Sequence, residues 1–211
     1  KKIICIEKDK IFVKNLNTIF QNEKNLIVMS GDILNLNLKQ LISKDTIIIG
    51  NLPYNISTQI LIKFLRLYPW PPKFKKLIFM FQKELADRIL AKVNSSNYGR
   101  FSILANWKFN IKKIIDIKPN SFLPKPKVLS SLLIFNPKTP LINFKNPENL
   151  EYVTKIFFNQ RRKKIKKPIN ILFKNNSDVS KKFNLNLDLR PQNISAEIFY
   201  KLAKEYENLR S

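Results

Sequence analysis

Thr46-Ile47-Ile48-Ile49-Gly50-Asn51-Leu52-Pro53-Tyr54-Asn55-Ile56-Ser57-Thr58 is the stretch whose reading decides the fold. An apolar β-branched run, closed by Gly and a Pro-containing tetrapeptide and followed by an Ile/Leu stretch at helical spacing, reads as strand, tight turn and helix. The turn Asn51-Leu52-Pro53-Tyr54 then falls at the carboxyl end of a strand of parallel type. Open α/β sheets bind their ligands there.

The tetrapeptide has a chemical logic if the substrate carries an exocyclic amine on a nucleobase. The lone pair of such an amine is delocalised into the ring, so it is a poor nucleophile, and it presents two N–H donors. The Asn51 side-chain oxygen and the Leu52 carbonyl, held in a bend by Pro53, can accept both hydrogens and favour a more pyramidal nitrogen. Tyr54 can stack on the base. The alternative is a plain strand-end turn, since Asn and Pro are common turn residues.

Outward from this stretch, 211 residues with 44% hydrophobic content can bury a real core and hold one domain plus a smaller one. Lys+Arg 39 against Asp+Glu 15 gives +24, with a pI near 10.1, which favours a polyanionic partner. An AT-rich coding sequence accounts for part of the Lys content but not for so few acids. The single cysteine, Cys5, excludes an internal disulfide framework, and its apolar surroundings read as a buried structural thiol. The absence of histidine removes every Ser-His, Cys-His and His-metal scheme, and no metal is expected. No apolar run approaches the ~20 residues that cross a bilayer, so a soluble, cytoplasmic protein without a membrane partner is expected.

Lys2-Ile3-Ile4-Cys5-Ile6-Glu7 reads as a strand ending in an acid, and such an acid in a nucleotide-binding βαβ unit can bond ribose hydroxyls. An ordinary solvated acid is the alternative for Glu7. A helical stripe from Asp9 to Asn22 and the strand Leu26-Ile27-Val28-Met29 follow, then Ser30-Gly31-Asp32 puts a second acid at a strand's carboxyl end. Beyond the Asn51 turn, Gln59 to Leu67 continues as a helix, which Pro69-Trp70-Pro71-Pro72 must end. Leu77 to Phe81 is the next strand. Gln82 to Val93 and Gly99 to Trp107 read as helices, and Ile111 to Ile117 and Leu129 to Phe135 as strands. The loop between those last strands, Asn120-Ser121-Phe122-Leu123-Pro124-Lys125-Pro126-Lys127-Val128, is stiffened by two prolines and can present Phe122 over the mouth of the site. A core Phe anchoring the loop is the competing reading.

Pro137, Pro140 and Pro147 within eleven mostly polar residues mark a linker, so domains are expected over 1–138 and 139–211. The second begins with a helical stripe at Leu150, Val153, Ile156 and Phe157. It runs into Gln160-Arg161-Arg162-Lys163-Lys164-Ile165-Lys166-Lys167, where six of eight residues are basic. Carried on a helix with Phe157 and Phe158 packed at one end, this run suits phosphate contacts better than general solubility.

GNLPYNIST over Gly50–Thr58 closely resembles the catalytic motif of the ribosomal RNA small-subunit adenine dimethyltransferase family, the KsgA type. QKELADRI from Gln82, YGRFS from Tyr98, F-x-P-x-P-K-V from Phe122, QRRK from Gln160 and Leu189-Arg190-Pro191 with Ile194-Ser195 match the family in the same order. The resemblance implies a class I S-adenosylmethionine-dependent methyltransferase, a Rossmann-like doubly wound α/β sheet with a small all-helical carboxyl-terminal domain. It further implies that two methyl groups pass in turn to the 6-amino group of each of two adjacent adenosines in the 3′-terminal hairpin of small-subunit rRNA. Asn51, Leu52, Pro53, Tyr54 and Phe122 would form the catalytic site, with the base between Tyr54 and Phe122. Glu7 would hold the ribose of S-adenosylmethionine, Asp32 its adenine amino group, and Asn51 would also face the donor. Gln160, Arg161, Arg162, Lys163 and Lys164 would bind RNA. The implied partner is rRNA within a pre-assembled small subunit, met by a monomer with a role in ribosome biogenesis.

The chain departs from the family in one respect: its glycines are Gly31, Gly50 and Gly99, and the family's Gly-rich loop upstream of the acid matched by Glu7 is not in this sequence. The expectation is a truncated sequence, inactive by itself, whose missing first strand would lie beside the strand that carries the Asn51 turn. Two other readings remain: a non-catalytic RNA-binding assembly or transcription factor on the same scaffold, and a DNA adenine methyltransferase, because the Asn-x-Pro-aromatic turn also serves DNA targets.

Overall fold

The computed structural model describes residues 2–174 and 176–210. The chain opens with a βαβ unit, β1 (Ile3–Glu7), α1 (Lys10–Ile19) and β2 (Leu26–Ser30), in which Ile3 pairs with Leu26 and Glu7 with Ser30 in parallel. Asp9 caps α1 by accepting from Ile11 N at 2.7 Å, which fixes where the strand turns into the helix. After the single turn α2 (Leu38–Leu41), a second unit follows: β3 (Ile47–Asn51), α3 (Ser57–Leu65) and β4 (Lys76–Gln82), again with parallel strands.

Two helices, α4 (Lys83–Leu90) and α5 (Arg100–Lys108), lead to β5 (Phe109–Ile117) and β6 (Ser130–Pro137), which are antiparallel to each other. Strand β6 inserts beside β4, giving the order β3-β4-β6-β5, while β1 and β2 form their own two-stranded sheet. The architecture is α/β as expected, with the described strands in two sheets and the last pair antiparallel. Among the described residues β1 and β3 each pair along one edge, and Ile49 of β3 is 74% exposed.

The wider sheet packs through aromatic rings. Phe64 of α3 lies 5.5 Å from Phe79 of β4, Phe79 lies 6.1 Å from Phe135 of β6, and Phe109 of β5 lies 5.6 Å from Phe135. All four are essentially buried, and each such pair adds about 0.5–1.5 kcal/mol beyond simple area burial. This aromatic layer is the floor on which β3 delivers the Asn51 turn.

The carboxyl-terminal part is helical: α6 (Glu148–Phe158), α7 (Lys166–Leu172), α8 (Asn176–Lys182) and α9 (Ala196–Asn208). It packs on α5, where the Tyr200 hydroxyl donates to Ile103 O at 3.0 Å, and on α3, where Arg66 just past the helix end forks onto Glu151 at 2.7 and 3.0 Å. The segment 138–147 has no regular structure, yet both indoles hold it: Trp70 Nε1 donates to Lys138 O and Trp107 Nε1 to Ile142 O, each at 2.8 Å. One difference from the sequence reading concerns the basic run. Helix α6 stops at Phe158, and residues 160–164 form turns before α7 rather than continuing the helix. Pro168 has no N–H for the carbonyl of Lys164 and its ring collides with that carbonyl, so one helix cannot pass through both. Among the described residues no helix is long and apolar enough to cross a membrane.

Candidate active site

Asn51 is the last residue of β3, paired with Met80, and stands exposed at the strand's carboxyl end. The chain there runs close to its own side chains: a Cβ on Gly50 would lie 2.6 Å from Leu52 Cδ2 and 3.3 Å from Phe79 Cδ1. Leu52 is buried, so its side chain anchors the turn. Ile56 N donates to Pro53 O at 3.2 Å and Ser57 Oγ to Tyr54 O at 3.0 Å, closing the bend into the first turn of α3.

Residues Asn51 to Tyr54, together with Phe122, Pro124 and Pro126, line an open cleft of about 280 Å³. Phe122 is half-buried and follows a one-turn helix at Pro119–Ser121, its N–H bonded to Pro119 O at 3.2 Å. The structure therefore brings together all five residues expected at the centre of the site, of which Phe122 stands 68 or more positions from the other four. The Tyr54 hydroxyl lies 2.6 Å from Ser130 Oγ. The only titratable side chain among the cleft-lining residues is Tyr54. A cleft with aromatic and proline walls and one exposed carboxamide suits holding a flat ring by its faces while an edge amine is oriented.

Glu7 and Asp32 meet at the carboxyl ends of β1 and β2, where Gly31 N donates to Glu7 O at 2.8 Å. Glu7 Oε1 accepts from Asp9 N at 2.8 Å, which leaves its second oxygen for a ligand. Asp32 accepts from Lys8 Nζ at 2.9 Å and from Leu34 N at 2.9 Å, and the Lys8 bond, followed by the Leu34 N–H, holds its carboxyl below the usual range. Asp32 thus stays a charged acceptor, the chemistry that an adenine amine calls for. Lys63 of α3 donates to Leu34 O and Leu36 O, each at 2.7 Å, tying the Asp32 turn to the helix that follows the Asn51 turn.

The basic run is divided. Arg161 is half-buried and its guanidinium donates to the Ser95 and Ser96 carbonyls, while Lys164 pairs with Asp188 at 2.7 Å. Gln160, Arg162 and Lys163 are exposed. None of the five lines the cleft. Reading the sequence alone missed Ser57, Lys63, Ser130 and the buried Lys108. Only Lys108 carried a visible signal, a lysine set directly between Trp107 and Phe109.

Residues 1–208 match the family described as Ribosomal RNA adenine dimethylase. The chain is 49% identical over 210 residues to the ribosomal RNA small subunit methyltransferase A of Pelagibacter ubique (strain HTCC1062), covering all of this chain and 79% of that protein. The enzyme of the same name from Prochlorococcus marinus (strain AS9601) is 38% identical, over 97% of this chain and 77% of its own length. Among solved structures, a dimethyladenosine transferase from Plasmodium falciparum superposes with a TM-score of 0.79 at 26% identity, covering 98% of this chain and 82% of that one. The 23S rRNA methyltransferase ErmE shares the fold at a TM-score of 0.66 and 17% identity, with the same coverage.

Proposed function

The chain belongs to the ribosomal RNA adenine dimethylase family, and on that premise we propose that it is an rRNA adenine dimethyltransferase of the small subunit. Its targets are the 6-amino groups of two adjacent adenosines in the 3′-terminal hairpin, and its methyl donor is S-adenosylmethionine. The observation that carries this reading is the cleft itself, which Asn51, Tyr54 and Phe122 line together.

Each residue has a role that follows from its placement. Tyr54 and Phe122 hold the extruded adenine by its faces, which base-modifying enzymes require because a stacked base is out of reach. Asn51 Oδ1 and the Leu52 carbonyl accept the two amine hydrogens and turn the nitrogen lone pair toward the donor, and Pro53 fixes the bend that aligns them. Glu7 takes the ribose hydroxyls of the donor and Asp32 its adenine amine. S-adenosylmethionine supplies a methyl carbon on a positively charged sulfur, so a neutral thioether leaves when the N–C bond forms and the C–S bond breaks. The ammonium produced on the base releases its proton to water, and the sequence repeats once. No imidazole is called for, which agrees with a chain without histidine.

We assign catalysis to residues 1–138 and RNA docking to the helical part, 139–211, where Arg162, Lys163 and Gln160 are exposed for phosphate contacts. The protein acts as a cytoplasmic monomer on a pre-assembled small subunit. The free thiol of Cys5 and the charge of +24 support a reducing compartment and a polyanionic partner.

The test is transfer of labelled methyl groups from S-adenosylmethionine to undermethylated small ribosomal subunits by the chain with an upstream Gly-rich segment restored, with Asn51→Ala as control. Label recovered as dimethyladenosine and lost in Asn51→Ala is the expected result. Tight binding of subunits by the wild-type protein with no incorporation would overturn the assignment in favour of a binding factor.

A further inference from the structure

Tyr54 is held at both ends by buried serines. Its main-chain carbonyl accepts from Ser57 Oγ at 3.0 Å, and its phenol oxygen sits 2.6 Å from Ser130 Oγ across 76 residues of chain. Ser57 and Ser130 are 1% and 0% exposed.

The two tethers differ in kind. Ser57 belongs to the helix that follows the turn, so it moves with Tyr54. Ser130 belongs to the sheet: it opens β6, where it is registered against Gln82 of β4 on one side and Ile117 of β5 on the other. The residue before it, Leu129, accepts Lys83 N at 2.9 Å, so the loop that carries Phe122 ends on the same anchor. A tyrosine ring swings about two side-chain torsions, and fixing its far oxygen removes that freedom. A fully buried hydroxyl, for its part, needs a partner, because leaving it unpaired costs free energy. Only the phenol serves Ser130 Oγ as a side-chain partner among the described residues.

From this geometry we infer that Ser130 is a positioning residue for methyl transfer, setting the tilt of the Tyr54 ring toward Phe122 so that the base enters in one orientation with its amine at Asn51. The inference rests on the reaction proposed above. Ser130 touches neither base nor donor and acts through Tyr54. Because one residue fixes the Tyr54 ring and also terminates the Phe122 loop, it relates the two stretches that line the cleft to each other.

The experiment compares Ser130→Ala, Ser130→Thr, Tyr54→Phe and the double variant Ser130→Ala/Tyr54→Phe, each in the chain with an upstream Gly-rich segment restored, in methyl transfer to small subunits, alongside carbon-13 spectra of ring-labelled tyrosine. Losing one hydrogen bond is expected to lower kcat roughly three- to tenfold in each single variant, with RNA affinity unchanged. The double variant should be no slower than either single one, since both remove the same bond, and Ser130→Thr should recover activity. The Tyr54 ring signal should go from one orientation in the wild type to an averaged one in Ser130→Ala. Single-variant losses that multiply in the double variant, or an unchanged Tyr54 signal in Ser130→Ala, would overturn the inference. A wild-type protein that transfers no methyl group while its Tyr54 ring is released in Ser130→Ala would count against the proposed reaction and for the tether.

Discussion

Lys108 places its ammonium 2.7 Å from the carbonyl oxygen of Leu65, the last residue of the helix that follows the Asn51 turn. It is 4% exposed, reaches the Leu67 carbonyl at 3.4 Å, and lies 4.5 and 4.4 Å from the ring centres of Trp70 and Trp107. A cation there satisfies carbonyls that the end of α3 leaves open and complements the helix dipole. Substituting Met keeps the volume and removes the donor, so Lys108→Met is expected to cost about 1–3 kcal/mol by stranding those carbonyls. Thermal unfolding should shift down by about 2–4 °C per kcal/mol for a chain of this size. An unchanged midpoint would show that water reaches the end of α3.

The same lysine gives a pH signature. Burial pushes its pKa down from the ordinary 10.5 to about 8. Between those values the unfolded chain carries one more proton at this site than the folded chain, so unfolding free energy contributed by Lys108 rises as pH rises through that window. Below about 8 both states are protonated and the contribution is flat. Denaturant titrations at pH 7, 8, 9 and 10 should show the rise in the wild type and lose it in Lys108→Met. Equal slopes in the two proteins would place the titration elsewhere.

Gly50 is required by close approach rather than by an unusual backbone angle. Gly50→Ala puts a methyl group 2.6 Å from Leu52 Cδ2 with Phe79 behind it at 3.3 Å. Leu52 is buried, so its side chain has to repack and strains the turn it anchors. Overpacking of this kind costs about 1–3 kcal/mol. The proposed role of the Leu52 carbonyl is to accept an amine hydrogen, so kcat should fall more than stability predicts. Wild-type turnover in Gly50→Ala would mean that Leu52 absorbs the methyl group without moving its backbone.

How much of this was legible in the sequence follows from how local each feature is. The Asn51 turn, its strand and its helix are set by thirteen consecutive residues, and they stand where their pattern puts them. Phe122 could be named because two prolines fix its loop, but its meeting with Tyr54 depends on β6 inserting beside β4, a pairing with no local signature. Ser130, Lys63 and Lys108 act through carbonyls and hydroxyls brought near by tertiary packing, so residue type alone says little about them. The basic run misled for a local reason. Six cations read as a helical face, while Pro168, four positions after Lys164, was the sign that the helix ends earlier.

Lys63 links the segment after Asp32, the proposed donor site, to the helix that follows the Asn51 turn. Its two bonds of 2.7 Å to Leu34 O and Leu36 O hold the segment that follows Asp32 against α3. Lys63→Met should loosen that segment and weaken S-adenosylmethionine binding by roughly tenfold for the two bonds lost, with RNA affinity unchanged. Isothermal titration with donor and, separately, with RNA distinguishes the two. Equal weakening of both ligands would point to a general loss of fold instead.

Arg161 and Arg162 are neighbours with opposite expected behaviour. Arg161 spends its guanidinium on the Ser95 and Ser96 carbonyls, bracing the loop after α4, whereas Arg162 is exposed and has no protein partner among the described residues. Removing a phosphate contact lowers the slope of log affinity against log salt by about 0.7–0.9 per contact. Arg162→Ala should therefore weaken RNA binding and flatten its salt dependence by about that amount while leaving the melting temperature alone. Arg161→Ala should lower the melting temperature, because two carbonyls lose their charged donor, and leave the salt slope close to wild type. Binding measured across a salt series for both variants, with thermal melts, decides it. If Arg161→Ala flattens the slope as much as Arg162→Ala does, its guanidinium leaves the loop for the RNA backbone in the complex.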